Sequence, residues 1–309
     1  MYKASFSGKS VNSTLMIHVC AIISVIIWGV SFIATKMLLI NGLNAVEIYL
    51  YRFLIAYLLT LLICPKPLLC NSMRDELMFV LCGLCGGSIY FIAENIAVIH
   101  TLVSNVALIT STSPLMTTLL IGLLYKNQRP SRGMLIGSFV AIIGVGCVIF
   151  NSSFVVNIKP MGDLLALLAA FCWAIYSIIL RPLSAVYSVW FVTRKTFFYG
   201  LITALPFTLM EPSMASFEIL SRPVVIGNLA FLGFCASMLA YVLWSVAIKG
   251  LGSVKAGNYL YFQPIVTLIC SALMINEAIS TVGYIGCGLI LGGLIIGEKL
   301  GRNNNRVSR

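Results

Sequence analysis

The sequence predicts an all-α integral membrane protein whose ten transmembrane helices form two inverted five-helix repeats. Three observations predict it. Of the 309 residues, 60% are hydrophobic and only 9% charged, and the mean hydropathy is +1.02. A soluble domain carries about a quarter charged residues, so charge here is too scarce to cover a globular surface. The apolar residues collect into runs long enough to cross a hydrocarbon core of about 30 Å, and the later runs repeat features of the earlier ones in the same order. Disorder, coiled coil and collagen are excluded by the same composition and by the lack of a heptad or Gly-X-Y period.

Taken in order, Lys3 and Lys9 precede an apolar run from Leu15 to about Leu39. It outlasts the apolar region of a signal peptide and has no small-residue cleavage site, so it reads as an uncleaved first span. Runs bounded by charge or by Pro, Gly and Asn follow at 46–64, 76–99, 102–125 and 133–151. A second set occupies 162–180, 189–210, 224–248, 254–275 and 281–297. None alternates with period 2, which excludes strands. The organisation is a tail 1–14, a first repeat 15–151, a second repeat 162–297 and a basic tail 298–309. The short connections leave no room for a folded domain outside the bilayer.

The duplication shows as ordered matches. A shift of 150 lays Gly83-Leu84-Cys85 on Gly233-Phe234-Cys235, Ala97 on Ala247, Pro114 on Pro264 and Thr117 on Thr267. A shift of 145 lays Trp28 on Trp173 and Lys36 on Arg181, and one of 142 lays Arg52 on Arg194 and Tyr57 on Tyr199. A shift of 149 lays Gly137 on Gly286 and Gly144 on Gly293. Five spans per repeat is odd, so the second repeat must enter the membrane the opposite way. Charge agrees. With the N-terminus inside, all of the 20 Lys and Arg except Lys36, Arg52, Lys159 and Arg222 fall on the cytoplasmic side, and Glu47, Asp163, Glu211, Glu218 and Glu277 fall outside. The positive-inside rule then places both termini in the cytoplasm. Inverted repeats are the build of secondary transporters, in which exchanging the conformations of two halves turns an inward-open state outward.

The net charge of +11 is spread over loops and the C-terminal tail without a basic-aromatic motif, so it reads as topology and not as nucleic-acid binding. Cysteines such as Cys82, Cys85, Cys147, Cys172 and Cys270 lie inside apolar runs and behave as small hydrophobes. Neither a disulfide framework nor a zinc site is expected, and His18 and His100 are isolated at span ends, so no metal and no cofactor is expected.

The ordered set resembles the drug/metabolite transporter superfamily, in its EamA type, over about 15–297. The carriers are Trp28 and Trp173 with a base eight residues on, Arg52 and Arg194, Pro114 and Pro264, and Asn276-Glu277 before Gly283, Gly286 and Gly292-Gly293. The first half has Asn127-Gln128 where the second has Glu277, so that position is read as a helix cap. The resemblance implies ten helices, with the first four of each half around a central cavity and the last of each half peripheral. It further implies export of small metabolites, often amino acids or related compounds, across a bacterial inner membrane.

Glu94 is the sharpest single feature. An ionisable group within a span is costly and by default a functional hypothesis, here a site that binds and releases a coupling proton. The alternative is a structural salt bridge to Arg52 or Lys36. Trp244 holds the repeat-equivalent position, so the carboxylate is not duplicated. The cavity candidates share faces with it or with its counterparts: Trp28, Ser31 and Thr35 in the first span, Tyr90 and Asn95 in the third, Trp173 and Tyr176 in the sixth, and Ser237, Tyr241 and Trp244 in the eighth. An aromatic cage with few hydroxyls suits an amphipathic or amino-bearing solute, whereas Tyr49, Tyr51 and Trp190 read as interfacial anchors.

Around Pro114 and Pro264 the residues Ser111, Thr112, Asn258, Tyr261 and Gln263 cluster. A proline frees a carbonyl about four residues earlier, and broken helices at matched positions mark binding sites in transporters. Asn105, Asn258 and Gln263 are the first choices for hydrogen bonds to solute. Arg52 and Arg194 are either alternating gates, paired with acids or helix C-termini, or bases that snorkel to headgroups, as Lys195, Lys249 and Lys255 are expected to do. The pairs Gly133/Gly137, Gly288/Gly292 and Gly293/Gly297 permit close helix contact, within the chain or across a homodimer.

A transporter of anionic solutes, such as a sugar phosphate or nucleotide sugar, would need bases deep in the cavity, and most bases here sit at span ends. An intramembrane enzyme lacks its motifs: there is no H-E-x-x-H, G-x-S-x-G, paired aspartate or P-loop. A sensor or scaffold would lack a soluble output domain.

Overall fold

The computed structural model describes residues 11–65, 67–100, 106, 109–124, 131–149, 160–210, 214–275 and 281–307. All regular structure among them is helical. The first half contains α1 (Val11–Ile40), α2 (Ala45–Ile63), α3 (Met73–Gly83), a π-helical segment Leu84–Ser88, α4 (Ile89–His100), α5 (Ser113–Leu124) and α6 (Arg132–Ile149). The second contains α7 (Pro160–Val186), α8 (Val189–Met210), a short α9 (Phe217–Leu220), α10 (Pro223–Ala230), a π-helical segment Phe231–Leu239 and α11 (Ala240–Leu251). It ends with α12 (Ser253–Gly257), a 3-10 turn Asn258–Phe262, α13 (Gln263–Ile275) and α14 (Thr281–Val307).

Among the described residues, five stretches are long and apolar enough to cross a bilayer: Thr14–Ile40, Ala45–Ile63, Met73–His100, Pro160–Val186 and Pro223–Leu251. Ser113–Leu124, Arg132–Cys147 and Thr281–Gly297 are shorter apolar helices. Pro114 stands in the first turn of α5, where a missing N–H costs nothing, and Pro264 in the first turn of α13, which follows the 3-10 turn without a break. Before Pro114 the chain turns at Ser111-Thr112, with Thr112 N bonded to Ile109 O at 3.0 Å, and before Pro264 it runs in the 3-10 turn, whose Leu260 O accepts from Gln263 N.

Both π-helical segments fall at the repeat-matched Gly83-Leu84-Cys85 and Gly233-Phe234-Cys235. In the first, Gly87 leaves helical geometry at φ −136° and ψ −106°.

Packing between the halves is reciprocal. α4 lies on α7 as α11 lies on α1, α5 lies on α7 as α13 lies on α1, and α2 packs with α8. α6 and α14 pack chiefly on each other, beside a small separate core of Ala141, Val145, Tyr261 and Ile290. Their contact is made by glycines: Gly137 faces Gly293 and Gly144 faces Gly286, so the two helices run antiparallel. The main core is aromatic and centres on Trp28, Trp173, Tyr241 and Trp244.

Candidate functional site

The repeat-equivalent Trp28 and Trp173 meet edge to face, 5.1 Å between ring centroids. Trp28 is fixed by an Nε1–H bond to Ala236 O at 2.9 Å, on the second π-helical segment, where carbonyls depart from the regular ladder. Over this pair lies a narrow cleft, about 420 Å3 when the open space at its mouth is counted.

Its wall comes from both halves. α1 supplies Trp28, Ser31 and Phe32; α4 supplies Tyr90, Phe91 and Glu94; Thr110 and Ser113 flank the turn before α5. From the second half come Trp173, Leu260 and Gln263. Glu94 is buried, and its Oε1 accepts a hydrogen bond from the Tyr90 hydroxyl at 2.7 Å, one helical turn earlier. Among the described residues no Lys or Arg nitrogen lies within 4.0 Å of this carboxylate, so Arg52 acts on it electrostatically without a direct ion pair.

Of the residues expected in a cavity, Trp28, Ser31, Tyr90, Glu94, Trp173 and Gln263 are brought together on the cleft. Tyr176, Tyr241 and Trp244 form a layer beneath the indoles and do not reach it. Tyr241 donates to Gly86 O at 2.5 Å in the first π-helical segment. Asn95 turns to α2 and donates to Ala45 O at 2.9 Å, and Thr35 is buried off the cleft. Ser111 and Thr112 form the turn itself, Thr112 donating back to Ile109 O, so their neighbours Thr110 and Ser113 face the cleft instead. Asn258 is half-buried outside the wall, and Tyr261 belongs to the small core beside α6 and α14. Asn105 lies outside the described residues. Phe32, Phe91 and Leu260 carry no sequence signal, because an apolar residue facing solute and one facing lipid look alike.

The two arginines do not snorkel; both are buried. Arg52 donates from Nε to Ser237 Oγ at 2.9 Å, and its guanidinium lies 4.2 Å from the centre of the Phe91 ring. This explains Ser237, which serves Arg52 and not the cleft. Arg194 donates from Nη1 to Cys64 O at the C-terminus of α2. Tyr49, expected as an anchor, is fully buried and stacks on Phe53 and Phe91.

The pattern of the EamA-like transporter family matches residues 15–150 and again 160–296. The chain belongs to this family. It is 26% identical to an uncharacterized transporter of Archaeoglobus fulgidus over 84% of this chain and 89% of that one. It is 24% identical to a probable amino-acid metabolite efflux pump of Salmonella typhimurium over 89% and 92%, and 22% identical to a pump of the same name from Escherichia coli over 90% and 93%. A crystal structure at 20% identity superposes with a TM-score of 0.73 over 94% of this chain and 99% of the other, a likeness of fold. The protein is a membrane-embedded, multi-pass transporter of the EamA type.

In this EamA-family chain a second polar cluster was missed from sequence. Lys195, fully buried and not snorkelling, pairs with Glu76 Oε2 at 2.7 Å and donates to Leu68 O at 2.6 Å. Tyr199 donates to the other Glu76 oxygen. Tyr187 donates to Asp75 Oδ2 at 2.7 Å and accepts from Asn71 N at 2.8 Å. These bonds tie α8 and its entry to the first turn of α3 and to the segment before it. Lys195 and Glu76 are 119 positions apart, and no local pattern joins them.

Proposed function

We propose that the protein is a secondary transporter of a bacterial inner membrane. It exports small amphipathic metabolites, amino acids or related compounds among them, by alternating access, with Glu94 as the proton-coupling carboxylate. The observation that carries this is the cleft itself: a single carboxylate, held by Tyr90 and walled by Trp28 and Trp173, at the meeting of both repeats. Such a wall complements a solute with an ammonium group and apolar bulk. Ten spanning helices in two inverted repeats, with both termini cytoplasmic, remain the topology proposed. The antiparallel α6–α14 contact supports it, since Gly137 with Gly293 and Gly144 with Gly286 is the exchange that a two-fold axis across the helices produces. The pumps named for amino-acid metabolites support the solute class. An exchanger of sugar phosphates is the weaker reading, because among the described residues only Arg52 packs on a residue of the cleft wall and a phosphate dianion calls for more than one base.

The test is counterflow in proteoliposomes loaded with a pool of amino acids and related metabolites, with and without a pH gradient. Entry of one solute class, faster with the gradient, is expected. In Glu94→Gln the gradient dependence is expected to vanish. Unchanged coupling in that variant sinks the role of Glu94, and absence of any exchange by folded protein sinks the solute class.

A further inference from the structure

Arg52 is 1% exposed, no carboxylate lies within 4.0 Å of it, and its Nη2 has no hydrogen-bond partner among the described residues. An arginine cannot shed its proton, and a buried charged donor left without an acceptor is expensive. The cost is explained if an acceptor arrives at another stage of the working cycle. A second orphan donor lies nearby: the hydroxyl of fully buried Tyr49, which interacts electrostatically with Arg52 and whose ring stacks on Phe91. Both missing partners are acceptors, which fits an anion.

Phe91 separates this pair from the cleft, since it lines the cleft and also carries the Arg52 guanidinium against its ring. It stands in the first turn of α4, directly after the π-helical segment and the non-helical Gly87, and such bulges accompany functional sites and relax the helix around them. Glu94 acts on Arg52 electrostatically but makes no direct ion pair with it and is hydrogen-bonded by Tyr90, so the direct acceptor that Nη2 lacks is one a solute carboxylate would supply. One acid on the cleft and one guanidinium behind a lining ring complement a zwitterion better than a simple amine or a polyanion.

We propose that Arg52 is the carboxylate-recognition residue of the cleft. With the Phe91 ring turned aside, its Nη2, seconded by the Tyr49 hydroxyl, takes the carboxylate of an α-amino acid whose ammonium group lies at Glu94 among the indoles. This rests on the transport reading above and specifies its solute as a zwitterion.

The test uses the full chain, reading binding from the fluorescence of the tryptophans at the cleft and transport from counterflow. The probes are leucine, threonine and phenylalanine, each against its own carboxamide, which keeps the shape and the ammonium and removes the negative charge. At least one acid is expected to bind ten times more tightly than its carboxamide, and in Arg52→Gln that ratio is expected to fall below two while carboxamide binding stays within twofold. If Arg52→Gln does not fold, Ser237→Ala, which removes the partner that orients Arg52, is expected to lower the ratio at least threefold. Equal binding of acid and carboxamide in the unaltered protein overturns the proposal. So does a ratio that survives Arg52→Gln, or that survives Ser237→Ala where the first variant is unfolded. If only carboxamides bind and exchange, the proposal falls and the transport reading stands; if no probe binds or exchanges, both fall.

Discussion

The hydroxyl of Tyr90 and the ammonium of Lys195 illustrate two ways in which one atom can matter in a membrane interior. Tyr90 donates to Glu94 at 2.7 Å, and hydrogen bonds to charged groups contribute about 1.5–3 kcal/mol. Tyr90→Phe keeps the ring against Trp173 and removes only that donor. It is expected to weaken solute binding about tenfold, by tryptophan fluorescence, and to lower the melting temperature in detergent by a few degrees at most. Loss of fold would instead make Tyr90 a packing residue. Lys195 is a matter of stability. Its side chain is 1% exposed, whereas Glu76 retains 30%. Removing one partner of a buried pair costs about 3–5 kcal/mol because the other charge is stranded; with Glu76 partly solvated, the lower end applies. Glu76→Gln is therefore expected to destabilise by about 3 kcal/mol. Lys195→Met combined with Glu76→Gln is expected to recover most of it, since no charge is then left buried. A double variant no more stable than the single one would show that the pair is not coupled.

Helices make a second level, where repeat glycines separate into two kinds. A Cβ on Gly137 would come within 2.5 Å of Gly293 O and Gly297 N, both backbone atoms that cannot turn away, whereas Gly288 and Gly292 have open space beside them. Overpacking costs about 1–3 kcal/mol. Gly137→Ala is thus expected to lower the thermal midpoint clearly and Gly288→Ala to leave it or raise it slightly; similar effects at both positions would refute the close α6–α14 contact. The pairs Gly133/Gly137 and Gly293/Gly297 were visible in sequence as small residues four apart, but which face they serve was not. The same holds for the site. Trp28, Trp173 and Glu94 were legible because an indole in mid-span and a lone carboxylate are rare, and Gln263 because polarity beside a proline is conspicuous. Phe91 and Leu260 were not legible, since apolar residues in an apolar run carry no direction. Thr112 was misplaced in favour of its neighbour Ser113 because the turn at Ser111-Thr112 resets the helical phase, and a 3.6-residue count cannot be carried across it. The π-helical segments had no compositional mark, only the matched Gly-x-Cys triplets that the repeat exposed.

At the scale of the molecule, the helices of the two halves pack reciprocally while their polar contacts differ. Arg194 closes on Cys64 O and Lys195 on Glu76. Their repeat partners behave otherwise: Arg52 turns inward to Ser237, Phe53 packs on Phe197 at 4.9 Å, and Ile226 stands exposed where Glu76 would be. In an alternating-access cycle the two closed gates would then differ in stability, the polar one holding shut the side that charge assigns to the cytoplasm. Cys70, half-buried in the segment that the lock restrains, is a native reporter of its opening. In inside-out vesicles, Glu76→Gln is expected to speed the labelling of Cys70 by a membrane-impermeant maleimide at least fivefold, followed peptide by peptide by mass spectrometry. Right-side-out vesicles are expected to show no change. The size follows from population arithmetic: an interaction made only in the closed state and contributing about 1.4 kcal/mol holds the open state down tenfold. Equal rates in the two proteins would mean that the cluster persists through the cycle and fastens α8 to α3 as a rigid unit, in which case the moving surfaces must be sought at the α4–α7 and α1–α11 contacts instead.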